Sequence, residues 1–304
     1  MSALARIARP EKNYWEQMKL RIVKATMIGD IVGSPGLETL EADLPALIKE
    51  HNIDFVTVNG ENAADGFGMT SSDYIRIINA GADVVTSGNH IWEKREFWSV
   101  LETEKNMIRP ANYTSGSQTT YGVSGSGFAV VNKNGVAWLV INLQGRELMS
   151  SIDCPFLCFD NLMNIFQGKA ADIHPLLLNG GISVPSALPV VLIDFHAESS
   201  REKEALAYYA DGRASLISGT HTHVQTADEK ILPRGSAYIT DLGMTGNTDS
   251  VIGMDPGICL DRVNKQVLYH MEIAKSKSPG KMQGVIAEID ADTGKAVSIR
   301  RIGT

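Results

Sequence analysis

Ala214-Ser215-Leu216-Ile217-Ser218-Gly219-Thr220-His221-Thr222-His223 is an apolar run that stops on two imidazoles. Read as a strand over residues 215–218, it ends in a turn bearing two side chains suited to metal ions. The two rings, separated by one residue, are expected to face different sides and so to serve two neighbouring ions rather than one. A lone His-x-His arises easily by chance, and the weight of this one comes from its company. Thr26-Met27-Ile28-Gly29-Asp30, Phe55-Val56-Thr57-Val58-Asn59-Gly60-Glu61-Asn62 and Val84-Val85-Thr86-Ser87-Gly88-Asn89-His90 end in the same way, and Val190-Val191-Leu192-Ile193-Asp194-Phe195-His196 ends in Asp and His. Each strand-like run stops on a side chain that can bind metal.

Helical patterns separate these runs. Residues 22–28 predict a buried strand, and Ser34 and Pro35 suit the cap and first turn of a helix over 37–51, with Leu40, Leu44, Leu47 and Ile48 on one face. A strand over 54–58, a Gly- and Asn-rich loop over 59–68, a helix over 71–80 and a strand over 83–86 follow. After the Gly88-Asn89-His90 loop comes a helix containing Trp92, Phe97 and Trp98. This alternation implies parallel βαβ units, whose ligands gather outside the carboxyl ends of the strands. Asp30, Glu61, Asn62, Asn89 and His90 all fall there.

Further on, 128–131 and 137–143 read as a hairpin around Asn132-Lys133-Asn134-Gly135. A mixed region over 145–188 holds a helix at 161–166 and a break at Gly180-Gly181. A strand over 188–195 precedes a helix over 199–210, with Glu198 and Glu202 near its positive end, and another strand spans 237–240. Residues 267–273 and 284–290 are expected to form a closing antiparallel pair joined by a flexible 275–281 segment. The expected architecture is α/β, two sheets face to face with helices outside, in one domain over 22–304 preceded by an N-terminal extension over 1–21. That extension lacks the apolar centre of a signal peptide and is expected to pack on the surface or be partly disordered, and Met18 could be the true start.

Composition narrows the function. With a net charge of −7 and no Lys/Arg run, nothing suggests an extended footprint on nucleic acid, so an anionic substrate would be held by bound cations. Cys154, Cys158 and Cys259 read as ordinary thiols of a reducing, cytoplasmic compartment. No apolar stretch approaches the roughly 18 residues needed to span a bilayer. Neither a P-loop nor a Gly-x-Ser-x-Gly elbow is present.

The runs quoted above, extended to Gly29-Asp30-Ile31-Val32-Gly33-Ser34-Pro35-Gly36, Asn62-Ala63-Ala64, Asp194-Phe195-His196-Ala197-Glu198 and Gly219 to Asp228, join Arg109-Pro110-Ala111-Asn112-Tyr113 and Ile239-Thr240-Asp241-Leu242-Gly243-Met244-Thr245-Gly246. In this order they resemble the YmdB-like branch of the calcineurin-like metallophosphoesterases over residues 22 to 302. The resemblance implies a four-layer αββα sandwich with a dinuclear site. Glu61 matches the bridging carboxylate. Asp30, Asn62 and His223 match the remaining protein ligands of one ion, and Asn89, His196 and His221 those of the other. His90 matches the general acid. Where many relatives carry Asp-x-His, this chain has Asp30-Ile31-Val32, and Asn62 looks like the replacement. More oxygen and fewer imidazole ligands shift the preference towards iron or manganese and away from zinc.

Two ions about 3.5–4 Å apart can hold a bridging hydroxide for in-line attack on a phosphate, while a protonated His90 supplies the leaving oxygen with its proton. The expected function is a phosphodiesterase acting on cyclic nucleotides, 2',3'-cyclic AMP above all. A phosphomonoesterase or nuclease on the same site, or a nucleotide-binding regulatory protein, are the alternatives. Homo-oligomerisation stays open. His51, His174 and His270 lie outside the motifs; Asp194 and Asp241 are expected to make structural hydrogen bonds, and Asp241 could instead orient a ligand.

Overall fold

The computed structural model describes residues 20–114, 123–167, 190–275 and 278–303. Residues 1–19 of the expected extension, Met18 among them, lie outside the described residues, as do His174 and Gly180-Gly181.

In chain order the elements are β1 (Ile22–Ile28), β2 (Asp30–Ile31), α1 (Gly33–His51), β3 (Phe55–Asn59), α2 (Ser71–Ala80), β4 (Val84–Thr86), and a 3-10 turn (Arg95–Phe97) leading into α3 (Trp98–Thr103). Next come β5 (Phe128–Lys133), β6 (Val136–Gln144), α4 (Pro155–Phe166), β7 (Val190–His196), α5 (Ser200–Ala210), β8 (Leu216–Thr220), β9 (Lys230–Ile231) and β10 (Ala237–Ile239). The chain closes with β11 (Met244–Thr245), α6 (Pro256–Lys265), β12 (Gly284–Asp290) and β13 (Ala296–Ile302).

A five-stranded sheet runs β13-β12-β1-β3-β4 and a six-stranded sheet β5-β6-β7-β8-β10-β9. Strands β1, β3 and β4 are mutually parallel, and so are β6, β7, β8 and β10. Alternation along each strand sorts its residues into layers. Val23, Ala25 and Met27 of β1, Phe55 of β3, Trp138 and Val140 of β6, and Val190 and Leu192 of β7 pack between the sheets. Val56 and Val58 of β3 turn outward onto Leu37, Leu40 and Leu44 of α1 and Ile77 of α2. Leu139 and Ile141 of β6 and Val191 and Ile193 of β7 turn the other way onto Phe159 of α4 and Leu206 of α5. Helices, sheet, sheet, helices: this is the four-layer αββα sandwich.

The layer between the sheets changes character along its length. Positions that carry Trp138, Val140, Val190, Leu192 and Leu216 at the amino-terminal side carry Asn142, Gln144, Asp194, His196, Ser218 and Thr220 two or four residues later, all buried. Because the parallel strands point the same way, their carboxyl ends collect this polar stripe at one edge of the core, where open α/β sheets bind ligands.

Several expected elements differ in detail. Helix α1 starts at Gly33, not after a Ser34 cap: Val32 is held by its amide bond to Thr245 O (2.9 Å) and its bridge to Asn62, so the chain turns at Gly33 (φ 60°) straight into the helix. Trp92 lies outside the short helix that follows the 3-10 turn. The hairpin turn is the two residues Asn134-Gly135, with φ 52° and 72°. Residues 267–273 form no strand with 284–290; β12 pairs instead with β1 and β13. Leu268 is 88% exposed, so its apolar character marks no buried strand. Among the described residues, no helix is long and apolar enough to cross a membrane.

Candidate metal centre

The structure brings Asp30, Glu61, Asn62, Asn89, His196, His221 and His223 together at the carboxyl ends of both sheets. Glu61 is fully buried at the centre. Its Oε1 lies 2.9 Å from His196 Nε2 and 3.3 Å from Asn62 Nδ2, and its Oε2 accepts the His90 backbone N–H at 3.2 Å. On the first side, His196 Nε2 also meets Asn89 Oδ1 (3.1 Å) and His221 Nδ1 (3.0 Å). On the other, His223 Nε2 lies 3.1 Å from Asn62 Nδ2 and 3.9 Å from Asp30 Oδ1.

The hydrogen bonds behind each ring fix which nitrogen faces inward. Asp194 accepts from the Thr220 hydroxyl (2.7 Å), since a carboxylate can only accept; Thr220 Oγ1 therefore accepts from His196 Nδ1–H (3.0 Å). Asp194 is held in turn by Thr86 Oγ1 (2.5 Å) and Asn59 Nδ2 (2.9 Å). His221 Nε2 rests on the Glu198 carboxylate at 3.2 Å, and His223 Nδ1 donates to Ile252 O at 2.8 Å. All three imidazoles thus have their outer N–H engaged and aim the other nitrogen at the cluster, as ligand histidines do.

Burial and charge pull against each other here. Burial would raise Glu61, but the His196, His90 and His221 imidazoles hold it down at about 2. Burial would lower His196, but Glu61, Asp30 and Asp194 lift it to about 9, so the two form an ion pair whose proton sits where a cation could replace it. Burial drives Asp30 up to about 6, with Glu61 and Asp241 adding to it against His223 and His196. His221 is pushed down to about 3 by burial and by the charge of His196.

The donor set fits a hard divalent cation. Glu61, His196 and His221 each bring one ligand atom to within 4.8 Å of the others. Asp30 Oδ1 and Asn62 Oδ1 are buried acceptors without a hydrogen-bond donor, and both belong to residues of this cluster. A half-turn of the Asn62 amide presents that oxygen where Nδ2 now lies.

The parting of His221 and His223 does not come from strand alternation. Residues two apart share a face on extended backbone. Strand β8 ends at Thr220, and both histidines have positive φ (99° and 63°), so the left-handed loop sends one ring towards His196 and the other towards Asn62. His90 stands outside the cluster: its Nδ1 is 2.5 Å from Glu93 Oε1 and its ring meets Phe67 edge-on at 5.1 Å. Glu198 and Glu93 carry no spacing signal that would assign them to the site; only the fold brings them to their histidines. Glu202, expected to favour the helix end, also accepts the Arg146 and Glu147 amides at 3.0 Å.

Gly88 leaves no room for a side chain. A Cβ there would stand 2.3 Å from Glu61 Oε2 and 2.4 Å from His196 Nε2. Gly88→Ala is expected to fold and to weaken Mn²⁺ binding by at least about tenfold, the scale seen when the orientation of a ligand is lost. A Mn²⁺ titration followed by electron paramagnetic resonance checks this, and unchanged affinity would mean that Glu61 and His196 can move aside without loss.

The family model described as YmdB-like protein matches residues 26–302. The chain is 41% identical over 280 residues to the Bacillus subtilis (strain 168) protein named 2',3'-cyclic-nucleotide 2'-phosphodiesterase, covering 92% of this chain and 96% of that one. Among solved structures, a hypothetical protein from Thermus thermophilus superposes with a TM-score of 0.77 at 34% identity, covering 92% and 98% of the two chains. A novel phosphatase of Mycoplasma pneumoniae superposes at 0.79 with 30% identity, covering 93% of each. With a family match over nearly all of the chain and relatives of this similarity along their whole length, the chain belongs to the YmdB-like family.

Proposed function

We propose that this chain is a metal-dependent phosphodiesterase hydrolysing cyclic nucleotides, with 2',3'-cyclic AMP as a substrate. In this reading Asp30, Glu61, Asn62, Asn89, His196, His221 and His223 hold two ions and His90 is the general acid. The observation that carries it is the orientation of the three imidazoles, each with its outer N–H tied to an acceptor and its inner nitrogen turned into the buried cluster, that of His196 to Glu61, that of His221 to His196 and that of His223 towards Asp30 and Asn62. The name of the Bacillus subtilis relative supports the substrate class. Carboxylate and amide oxygens beside three imidazoles favour iron or manganese over zinc.

When bound, the ions supply Lewis-acid stabilisation of the phosphate oxygens and activation of a water nucleophile. The protein's own part is positional and acid–base. Glu61 lies between the two ligand groups and can serve both. Asp194 and Thr220 keep the His196 ring turned inward, and Glu198 does the same for His221. Glu93 engages Nδ1 of His90, which leaves Nε2 as the atom that can hand a proton to the leaving ribose oxygen.

The test combines metal analysis of untreated protein with a panel of 2',3'-cyclic AMP, bis-p-nitrophenyl phosphate, p-nitrophenyl phosphate and single-stranded RNA. The expected result is iron or manganese at two ions per chain, and turnover of the cyclic phosphate well above that of the monoester. Fast monoester hydrolysis with none of the diesters would make the chain a phosphomonoesterase. Tight nucleotide binding without product would make it a regulatory module.

A further inference from the structure

Asp241 and Lys203 form an ion pair, Nζ to Oδ2 2.7 Å, with both side chains 1% exposed. Such a pair is a poor source of net stability, because desolvating two charges offsets most of their attraction. Its contacts point to a different role. Asp241 Oδ2 also accepts the Thr222 backbone N–H (3.3 Å) and the Thr222 hydroxyl (2.8 Å). Thr222 is the residue between His221 and His223, both in left-handed backbone. Non-glycine residues hold that conformation only where their surroundings impose it, and Asp241 grips the residue between them.

The same segment reaches the other side of the site. Asp241 Oδ1 accepts the Gly243 N–H at 2.8 Å, Gly243 O accepts the Asp30 N–H at 3.2 Å, and β11 pairs with β2, which begins at Asp30. Downstream, the Asp241 carbonyl accepts the Thr226 N–H at 3.1 Å. One short segment therefore fastens the backbone of Asp30 and that of Thr222, the residue joining His221 to His223, and its carboxylate is neutralised from behind by a lysine of α5.

Gly219 shows how the lysine gets there. A Cβ at that position would stand 1.9 Å from Thr240 O and 2.7 and 2.8 Å from Lys203 Cδ and Cε. The glycine that opens the Gly-Thr-His-Thr-His run is a notch through which the lysine stem passes to Asp241.

We propose that Asp241 and Lys203 are positioning residues of the metal centre, holding His221, His223 and Asp30 in the backbone arrangement that binds the ions. The inference rests on the ligand roles proposed above. It predicts a loss of metal affinity in folded protein, a readout that a merely structural role would leave alone.

The test is Mn²⁺ binding by the full chain, followed by electron paramagnetic resonance, with circular dichroism to establish folding. Asp211 supplies the control: it too is buried and accepts backbone amides, of Arg234 (2.8 Å) and Ser236 (3.2 Å), in a turn remote from the cluster. Asp241→Asn is expected to weaken Mn²⁺ binding by about 10- to 100-fold, the range for residues that orient metal ligands. Thr222→Val, a milder change that keeps the ion pair, moves affinity the same way by less. Lys203→Met combined with Asp241→Asn loses no more than Asp241→Asn alone, because the two act as a unit. Asp211→Asn lowers stability and leaves Mn²⁺ affinity unchanged. Wild-type affinity in both Asp241→Asn and Thr222→Val overturns the inference, as does an equal loss in Asp211→Asn. A wild-type chain that binds no Mn²⁺ overturns the metal reading itself and this inference with it. If Asp241→Asn does not fold, Thr222→Val against wild type decides.

Discussion

Glu61→Ala is expected to bind at most one metal ion per chain and to lose phosphodiesterase activity by more than about 10³-fold, the factor that ~4 kcal/mol of transition-state stabilisation represents. The expectation follows from its place. Its Oε1 faces His196 on one side and Asn62 on the other, so one carboxylate oxygen reaches both proposed ligand groups. Truncation also removes the partner of a buried imidazolium, but His196 can lose its proton and keep its bond through Thr220 to Asp194, so the fold survives. Metal analysis and circular dichroism on the purified variant check both halves. A folded Glu61→Ala chain with two ions and wild-type turnover would remove Glu61 from the bridging role.

His90→Ala is expected to keep both ions and slow hydrolysis of 2',3'-cyclic AMP by about 10²–10⁴-fold, the usual worth of a positioned general acid. The ions stay because His90 reaches Glu61 through its backbone N–H, which alanine retains. The side chain points elsewhere, towards Glu93 and Phe67. The leaving group decides how large the defect is: a ribose alkoxide needs a proton, whereas p-nitrophenolate departs without one. The loss is therefore expected to be much smaller with bis-p-nitrophenyl phosphate, provided chemistry limits both rates. Equal losses on the two substrates, at unchanged metal content, would assign His90 to binding the phosphate rather than to proton transfer.

The sandwich was legible in the sequence because each buried strand ends where its apolar run gives way to a polar residue. Val190 to His196 is the plainest example, apolar through Ile193 and then Asp194 and His196 on the face between the sheets. Helix α6 escaped notice because its apolar residues follow no single buried stripe: Cys259 is buried while Leu260 and Val263 are exposed. The apolar Val267 and Leu268 suggested a strand that does not form, and both are exposed. The ring directions of His221 and His223 depend on two positive φ angles, a region histidine visits more often than most residues but which only tertiary contacts impose here. Glu198 and Asp241 were visible as acidic residues beside motifs. Their partners were not, because tertiary packing alone brings Glu198 to His221 and Lys203 to Asp241.

The polar edge between the sheets has a bearing on how the molecule comes apart. Asp30, Glu61, Asn62 and Asn89 follow strands of the first sheet, whereas His196, His221 and His223 come from the second. Ions bound among them would act as rivets joining two leaves that elsewhere meet through apolar contact such as the Phe55–Trp138 stack, with ring centroids 4.5 Å apart. Since the unfolded chain has no such arrangement, metal at a hundred times its dissociation constant adds about 2.7 kcal/mol to stability for each independent site. That gain resists the parting of the leaves at the carboxyl edge, and it adds to the bonds that already cross there from Thr86 and Asn59 to Asp194.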